Sequence, residues 1–286
     1  MNHRKQIASL IFKSLTIEKE ALKKQFSERK NEIGYFYIDN LLPKDLIDQI
    51  YQNLPKLSDS ELKKNIREYK YVAYQMNKYN PLLEEVIYAF QEEKIVSIIS
   101  EICGLQNILP DKNLYAGGIS LMKKNNFLQP HIDNSHDKDR KLWRVLNLLF
   151  YVSPNWKLEN GGNLELWNNG LEHAPIEIES KCNRLVVMAT HQKSWHAVNK
   201  VKTDDVRACI SNYYFSKTSL LPDDNFHITL FRGRSTQKIT DVLLRIDNGF
   251  RRLVRKLFKK GIRENPHHYK NDIYVIIVDN CIFLLI

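Results

Sequence analysis

The chain is expected to fold as α+β, with a strand-rich core at residues 112–216 between a helix-containing N-terminal support region, 1–111, and a C-terminal extension, 217–286. Three observations predict this class. Lys- and Glu-rich stretches with helical apolar spacing precede the core, short apolar runs punctuated by Gly, Asn and Pro fill it, and a second helical pattern follows. With 286 residues, 43% of them apolar, the chain is long enough to bury one large core in one compact unit.

Residues 4–31 read as a helix rich in Lys and Glu, followed by a short strand at Tyr35-Phe36-Tyr37-Ile38. Pro43 stands near the first turn of an amphipathic helix reaching Tyr51, a position where the missing N–H costs nothing. Residues 59–69 are highly charged and read as a solvated face. From Pro81 to Leu105 a long helix is expected to back the core, with Leu83, Val86, Ile87, Phe90, Ile95, Ile98, Ile99 and Ile102 on its apolar side. Arg144 to Ser153 reads as a buried strand, and Gly161-Gly162 as a tight turn into a half-buried strand ending at Trp167. Residues 183–188 and 206–215 are again strand-like, and about eight short strands are expected between Leu114 and Phe215. An extended segment at 225–234 leads to a helix from about Lys238 to Lys260. The tail 273–286 is apolar but interrupted at Asp279-Asn280 and too short to span a bilayer, which leaves a packed strand or a membrane-dipping tail.

The chemistry concentrates in His131-Ile132-Asp133. In an extended strand residues i and i+2 share a side, so His131 and Asp133 reach one ion together while Ile132 points away. His196, 65 residues later, closes the set from another strand. Two imidazoles and one carboxylate on one face of an octahedral ion leave positions open for a bidentate co-substrate and for O2, which suits Fe(II) better than a closed zinc site. His191 is the rival distal ligand. Asp137 and Asp139 compete with Asp133, but neither has a histidine two residues before it. Among the other histidines, His136, His173, His227, His267 and His268 read as ordinary surface or core residues. Arg207, alone in an apolar strand, requires a carboxylate partner, since an unpaired buried cation is costly.

The order strand, H-x-D, R-x-L-x-x-L-x-Y, G-G-x-L-x-L, R-L-V-V, H, R over residues 112–216 resembles the 2-oxoglutarate and Fe(II)-dependent dioxygenases, specifically their prolyl-4-hydroxylase-like branch. The resemblance implies a double-stranded β-helix, or jelly-roll, core with flanking helices. It makes His131, Asp133 and His196 the Fe(II) ligands, with 2-oxoglutarate and O2 as co-substrates. Arg207 then takes the distal carboxylate of 2-oxoglutarate, and Tyr151 donates a phenol to the same group. Two positions depart from the pattern: Cys209 stands where many relatives carry Ser or Thr, leaving Ser211 or another hydroxyl to substitute, and Leu121-Met122 occupies the place of a pocket tyrosine. A non-catalytic jelly-roll binding module would lack a ligand or the arginine, and neither is missing.

Composition narrows the setting. Cys103, Cys182, Cys209 and Cys281 are scattered without paired spacing, which argues against a disulfide scaffold or zinc ribbon. The N-terminal apolar stretch is broken by Lys13, Glu18 and Lys19, so neither a signal peptide nor a spanning helix is expected, and a cytoplasmic location follows. A net charge of +10 calls for acidic partners. From Arg245 to Lys260 seven cations, Arg245, Arg251, Arg252, Arg255, Lys256, Lys259 and Lys260, face one acid, Asp247, on a helix whose apolar residues recur at three- and four-residue spacing. That pattern predicts peripheral attachment to the inner face of an anionic membrane, the alternative being a stripe packed on the jelly roll. With Asn134, Arg232 and Arg234 as candidate substrate contacts, the chain looks like the Kdo 3-hydroxylases of lipopolysaccharide inner-core assembly, which implies an anionic lipid-linked saccharide as acceptor. A peptide prolyl hydroxylase is the alternative. No nucleic-acid partner is expected, because no basic and aromatic stacking platform is evident.

Overall fold

The computed structural model describes residues 3–115, 117–258, 269, 275–278 and 281–284. The N-terminal region holds helices α1 (His3–Ile17) and α2 (Lys19–Ser27), strand β1 (Tyr35–Ile38), helix α3 (Lys44–Gln52), strands β2 (Glu61–Lys64) and β3 (Glu68–Ala73), and helices α4 (Pro81–Ala89) and α5 (Glu93–Cys103). The core follows as β4 (Leu109–Pro110), β5 (Gly118–Met122), β6 (Phe127–Ile132), β7 (Trp143–Tyr151), β8 (Leu164–Leu166), β9 (Ile176–Ile178), β10 (Arg184–Ala189), β11 (His196–Val198) and β12 (Arg207–Ser216). Strand β13 (Leu230–Phe231), helix α6 (Lys238–Leu257) and a separate pair, β14 (Val275–Val278) with β15 (Cys281–Leu284), complete the order.

The fold is α+β, a jelly-roll half-barrel made from one curled antiparallel sheet. Its strand order is β1-β10-β7-β12-β5-β3-β6-β11-β8-β9, with β2 added to β3, β4 to β12 and β13 to β6. Strand β7 shows how the sheet divides its two faces. Leu148 and Phe150 join the large apolar cluster with Ile7, Ile11 and Leu15 of α1, Leu83 and Ile87 of α4, and Ile95, Ile99 and Ile102 of α5. Asn147, Leu149 and Tyr151 alternate with them and face the concave side. Both faces are covered, so the strand reads as a near-continuous apolar run.

Three local expectations are corrected. The helix expected over 4–31 is two helices meeting at Glu18, and the one expected over Pro81 to Leu105 breaks between Ala89 and Glu93; in both cases the joint turns an apolar face back onto the same core. Residues 59–69 are not simply a solvated face. They contain β2 and the start of β3, a hairpin with Lys63 opposite Lys70, because β3 finds pairing partners in β5 and β6 that local sequence does not reveal. Within the apolar tail, β14 pairs antiparallel with β15. Among the described residues no helix is long and apolar enough to cross a membrane.

Candidate active site

His131 lies near the end of β6 and is in register with His196 of β11 on one side and Phe231 of β13 on the other. Asp133 follows one residue beyond the strand and faces the same way, as the i, i+2 rule requires. One donor atom from each of His131, Asp133 and His196 lies within 4.8 Å of the other two. The His131 Nε2 is 3.5 Å from Asp133 Oδ1, and the His196 Nε2 is 3.6 Å from Asp133 Oδ2. Each imidazole has its Nδ1 against a backbone carbonyl, Gln129 O at 3.0 Å and Ser194 O at 2.9 Å. A carbonyl only accepts, so the proton sits on Nδ1 and Nε2 is left as a lone-pair donor aimed at the shared point. His191 is elsewhere: it lines a smaller cavity of about 240 Å³ behind the sheet with Phe26, Val145 and Leu220, so position decides the rivalry for the distal place in favour of His196.

The electrostatics suit a metal. Burial opposes ionisation of Asp133, but the Arg144 guanidinium and the two imidazoles override it and hold the carboxyl well below its ordinary range. Burial, helped by the neighbouring His131 ring, pushes His196 down to about 4, so at neutral pH it is an uncharged ligand. Asn147 donates from Nδ2 to Asp133 Oδ2 at 2.6 Å and accepts from the Thr190 hydroxyl at 3.1 Å, which fixes the carboxylate plane.

A second constellation lies deeper. Arg207 is 3% exposed and has no ion-pair partner among the described residues; its Nε donates to Ser180 Oγ at 3.2 Å and its Nη1 lies 3.6 Å from the Met122 sulfur. Tyr151 is fully buried with an unpartnered hydroxyl, and the Arg207 guanidinium sits 4.9 Å from the centre of its ring. Register explains the meeting, since Tyr151 is opposite Cys209 across β7 and β12, and Arg207 is two residues from Cys209 on the same face. Gly162, at φ +68°, makes room: a Cβ there would lie 3.2 Å from Arg207 Cδ. A buried cation without an acid and a buried phenol without an acceptor leave one small carboxylate to be supplied. The residues therefore fit 2-oxoglutarate, whose distal carboxylate Arg207 and Tyr151 would hold, and Fe(II), which His131, Asp133 and His196 would hold.

Residues 117–215 match the family model of the 2OG-Fe(II) oxygenase superfamily. Its core is that of a 2OG-Fe(II) oxygenase. Solved structures agree in fold. A prolyl hydroxylase from Trichoplax adhaerens, in complex with a hypoxia inducible factor oxygen degradation domain peptide fragment, is 20% identical over 71% of this chain and 92% of that one, with a TM-score of 0.51. A prolyl-4-hydroxylase from Pseudomonas putida gives 15%, 68%, 98% and 0.50, and a prolyl 4-hydroxylase from Phytophthora capsici 15%, 89%, 80% and 0.51. No curated protein sequence matches the chain. With Fe(II), 2-oxoglutarate and O2 bound, such an oxygenase carries out oxidative chemistry at a C–H bond while 2-oxoglutarate leaves as succinate and CO2.

The oxygenase opens to solvent through a mouth of about 850 Å³ that reaches both constellations. Its wall shows which expectations about substrate contacts need correcting. Asn134 lines it, but Arg232 and Arg234 do not. Arg232 is bidentate to Asp241 of α6 at 2.6 and 3.1 Å, and Arg234 is paired to the buried Glu165 of β8 at 2.6 Å, so the first guanidinium braces the post-core segment against α6 and the second ties it to the core. Of the cations expected at a membrane surface, Arg251 and Arg255 instead line the mouth, because 100° per residue places them with Leu244 and Asn248 on the inward face of α6. Arg252 and Lys256 are exposed, whereas Lys259 and Lys260 lie outside the described residues.

Sequence reasoning missed two contributors. The β2–β3 hairpin brings Lys63, Arg67, Glu68 and Lys70 to the mouth, with no local signal to announce it. Arg144 has its Nη1 3.4 Å from Asp133 Oδ2 and its guanidinium 4.4 Å from the Tyr213 ring centre, with Nε and Nη2 buried and unpartnered. The argument that singled out Arg207, a lone arginine in an apolar strand, applied equally to it.

Proposed function

We propose that this oxygenase hydroxylates an unactivated C–H on an anionic, lipid-linked saccharide, with the inner-core sugar Kdo of a lipopolysaccharide precursor as the leading acceptor. The charge of the mouth carries the reading. Lys63, Arg67, Lys70, Arg144, Arg207, Arg251 and Arg255 line it; Lys63, Lys70 and Arg144 are paired with Glu61, Glu68 and Asp133, and Arg67 and Arg251 share Asp247, so the wall keeps an excess of positive charge over the acids that meet it. Such a wall attracts carboxylate or phosphate and disfavours a neutral chain. Beside the cations, Ile228, Phe231, Phe250 and Val254 form an apolar rim suited to an amphiphile. Arg207 and Tyr151 orient the co-substrate, Arg144 and Asn147 hold the Asp133 carboxylate, and the β2–β3 hairpin forms part of the wall that meets the acceptor.

A peptide prolyl hydroxylase is the second reading, supported by the fold shared with three prolyl hydroxylases, one of them in complex with a peptide. One assay separates the two. Succinate release and a gain of one oxygen are followed by mass spectrometry with a Kdo-containing lipid precursor and with proline-containing peptides in parallel. Oxygen gain on peptide alone discards the saccharide reading, and gain on the glycolipid alone discards the peptide.

A further inference from the structure

We infer that the outward face of α6 is a docking surface for an anionic lipid bilayer, an inference that builds on the lipid-linked acceptor proposed above but rests on separate observations. Ordinarily the apolar stripe of an amphipathic helix faces the core. Here it faces away. Ile239, Val242, Leu243, Ile246, Phe250, Leu253 and Leu257 are between 49% and 80% exposed, whereas the only buried residues of the helix are Leu244 and Asn248. At 100° per residue these seven form one continuous arc of about 100°.

The orientation is built in. Asn248 clasps the backbone of Phe231 from both sides, donating to its carbonyl at 2.6 Å and accepting from its N–H at 3.0 Å. Phe231 in turn stacks on His131, ring centres 5.4 Å apart and planes 19° apart. At the helix start Asp241 accepts from Arg232 and from the Gly233 N–H, and further along Asp247 accepts from Arg67 and Arg251. The polar residues of α6 thus hold it to the site, which leaves its apolar half outward.

Charge selects the occupant. Lys238, Arg245, Arg252 and Lys256 are exposed along one flank of the apolar arc; of the two acids of the helix, Asp241 binds Arg232 and the flank's own Arg245, and Asp247 binds Arg67 and Arg251, so both are already engaged. A second copy of the helix would bring this flank towards like charges with no exposed acid to meet them. An anionic headgroup layer satisfies the cations and takes up the apolar side chains together. Phe250 belongs both to the exposed arc and to the wall of the mouth, so a bilayer against α6 adjoins the opening that leads to the iron ligands.

Co-sedimentation of the full chain with vesicles tests this, comparing phosphatidylcholine alone with phosphatidylcholine containing phosphatidylglycerol at low salt. Binding to the anionic vesicles only is expected. Arg252→Gln and Lys256→Gln should each lower partitioning roughly fivefold, the equivalent of on the order of 1 kcal/mol per cation near an anionic surface. The combined Ile239→Ser, Leu243→Ser and Ile246→Ser variant should lose binding while keeping its circular dichroism and its acceptor-independent succinate release, since none of these side chains lines the mouth. His131→Ala should still sediment, which separates this surface from the chemistry: vesicle binding without hydroxylation of any saccharide sinks the acceptor and leaves the surface standing. If the wild type ignores anionic vesicles, or if it is a dimer that the serine variant dissociates and shows no vesicle binding, the bilayer is the wrong occupant.

Discussion

Replacing Arg207 by Met separates a group waiting for a ligand from one holding up the fold. In the structure the guanidinium is 3% exposed, donates once to Ser180 and meets no carboxylate among the described residues. Were Arg207 a structural ion-pair member, its loss would cost about 3–5 kcal/mol, as breaking a buried pair does. Without a partner, the buried charge is itself a cost, so Arg207→Met should leave the melting temperature of the co-substrate-free protein unchanged or raise it. Binding moves the other way. Two charge-assisted hydrogen bonds to the distal carboxylate, each worth roughly 1.5–3 kcal/mol, disappear. The loss of about 3–6 kcal/mol corresponds to a 2-oxoglutarate affinity weaker by roughly a hundredfold to a few ten-thousandfold. Calorimetric titration of 2-oxoglutarate into Mn(II)-loaded protein without oxygen measures it, and a parallel Mn(II) titration should show little change. A variant that melts several degrees lower yet binds 2-oxoglutarate as the wild type does would refute the assignment.

Further tests follow from the same geometry. Tyr151→Phe removes a buried hydroxyl with no partner, so free-protein stability should hold or rise while 2-oxoglutarate affinity falls by about 1 kcal/mol; equal affinity would show that the phenol is only a core residue. Asn147→Leu frees the Asp133 carboxylate to rotate and should cost roughly 10–100-fold in Fe(II) affinity by anaerobic titration, and unchanged affinity would rule out an orienting role. Asn248→Ala should speed amide exchange along α6 with little effect on β7 and β12, because it removes both bonds to Phe231; uniform exchange would mean that other contacts hold the helix. Burial pushes His136 down to about 4 from its ordinary 6.5 and lowers His191 and His227 as well. In the unfolded chain these groups protonate first, so stability should fall as pH drops below about 6.5, for His136 by up to about 1.4 kcal/mol per pH unit down to about 4, with His191 and His227 adding to the loss. A melting temperature that is flat between pH 7 and pH 5 contradicts this.

What local sequence determined is the chemistry of the centre. Strand periodicity alone puts His131 and Asp133 on one side, and the cost of a lone arginine in an apolar strand marks Arg207, because both arguments need only neighbours along the chain. The same argument could have marked Arg144. The breaks at Glu18 and after Ala89 were not legible, since each is set by a turn back onto the shared core and not by a strong local breaker. Tertiary structure decided the rest. Which cations reach the substrate depends on antiparallel pairing between distant segments: the charged stretch at 59–69 becomes mouth wall only because β3 pairs with β5 and β6, and Arg232 and Arg234 are withdrawn only because Asp241 and Glu165 come to meet them. Periodicity fixed that α6 has an apolar stripe, but not which way it faces. That choice was made by the polar residues of the helix: Asn248, whose two hydrogen bonds to Phe231 satisfy a buried backbone N–H and C=O, and Asp241 and Asp247, whose partners Arg232 and Arg67 lie outside the helix, turn the polar side inward and the apolar side out.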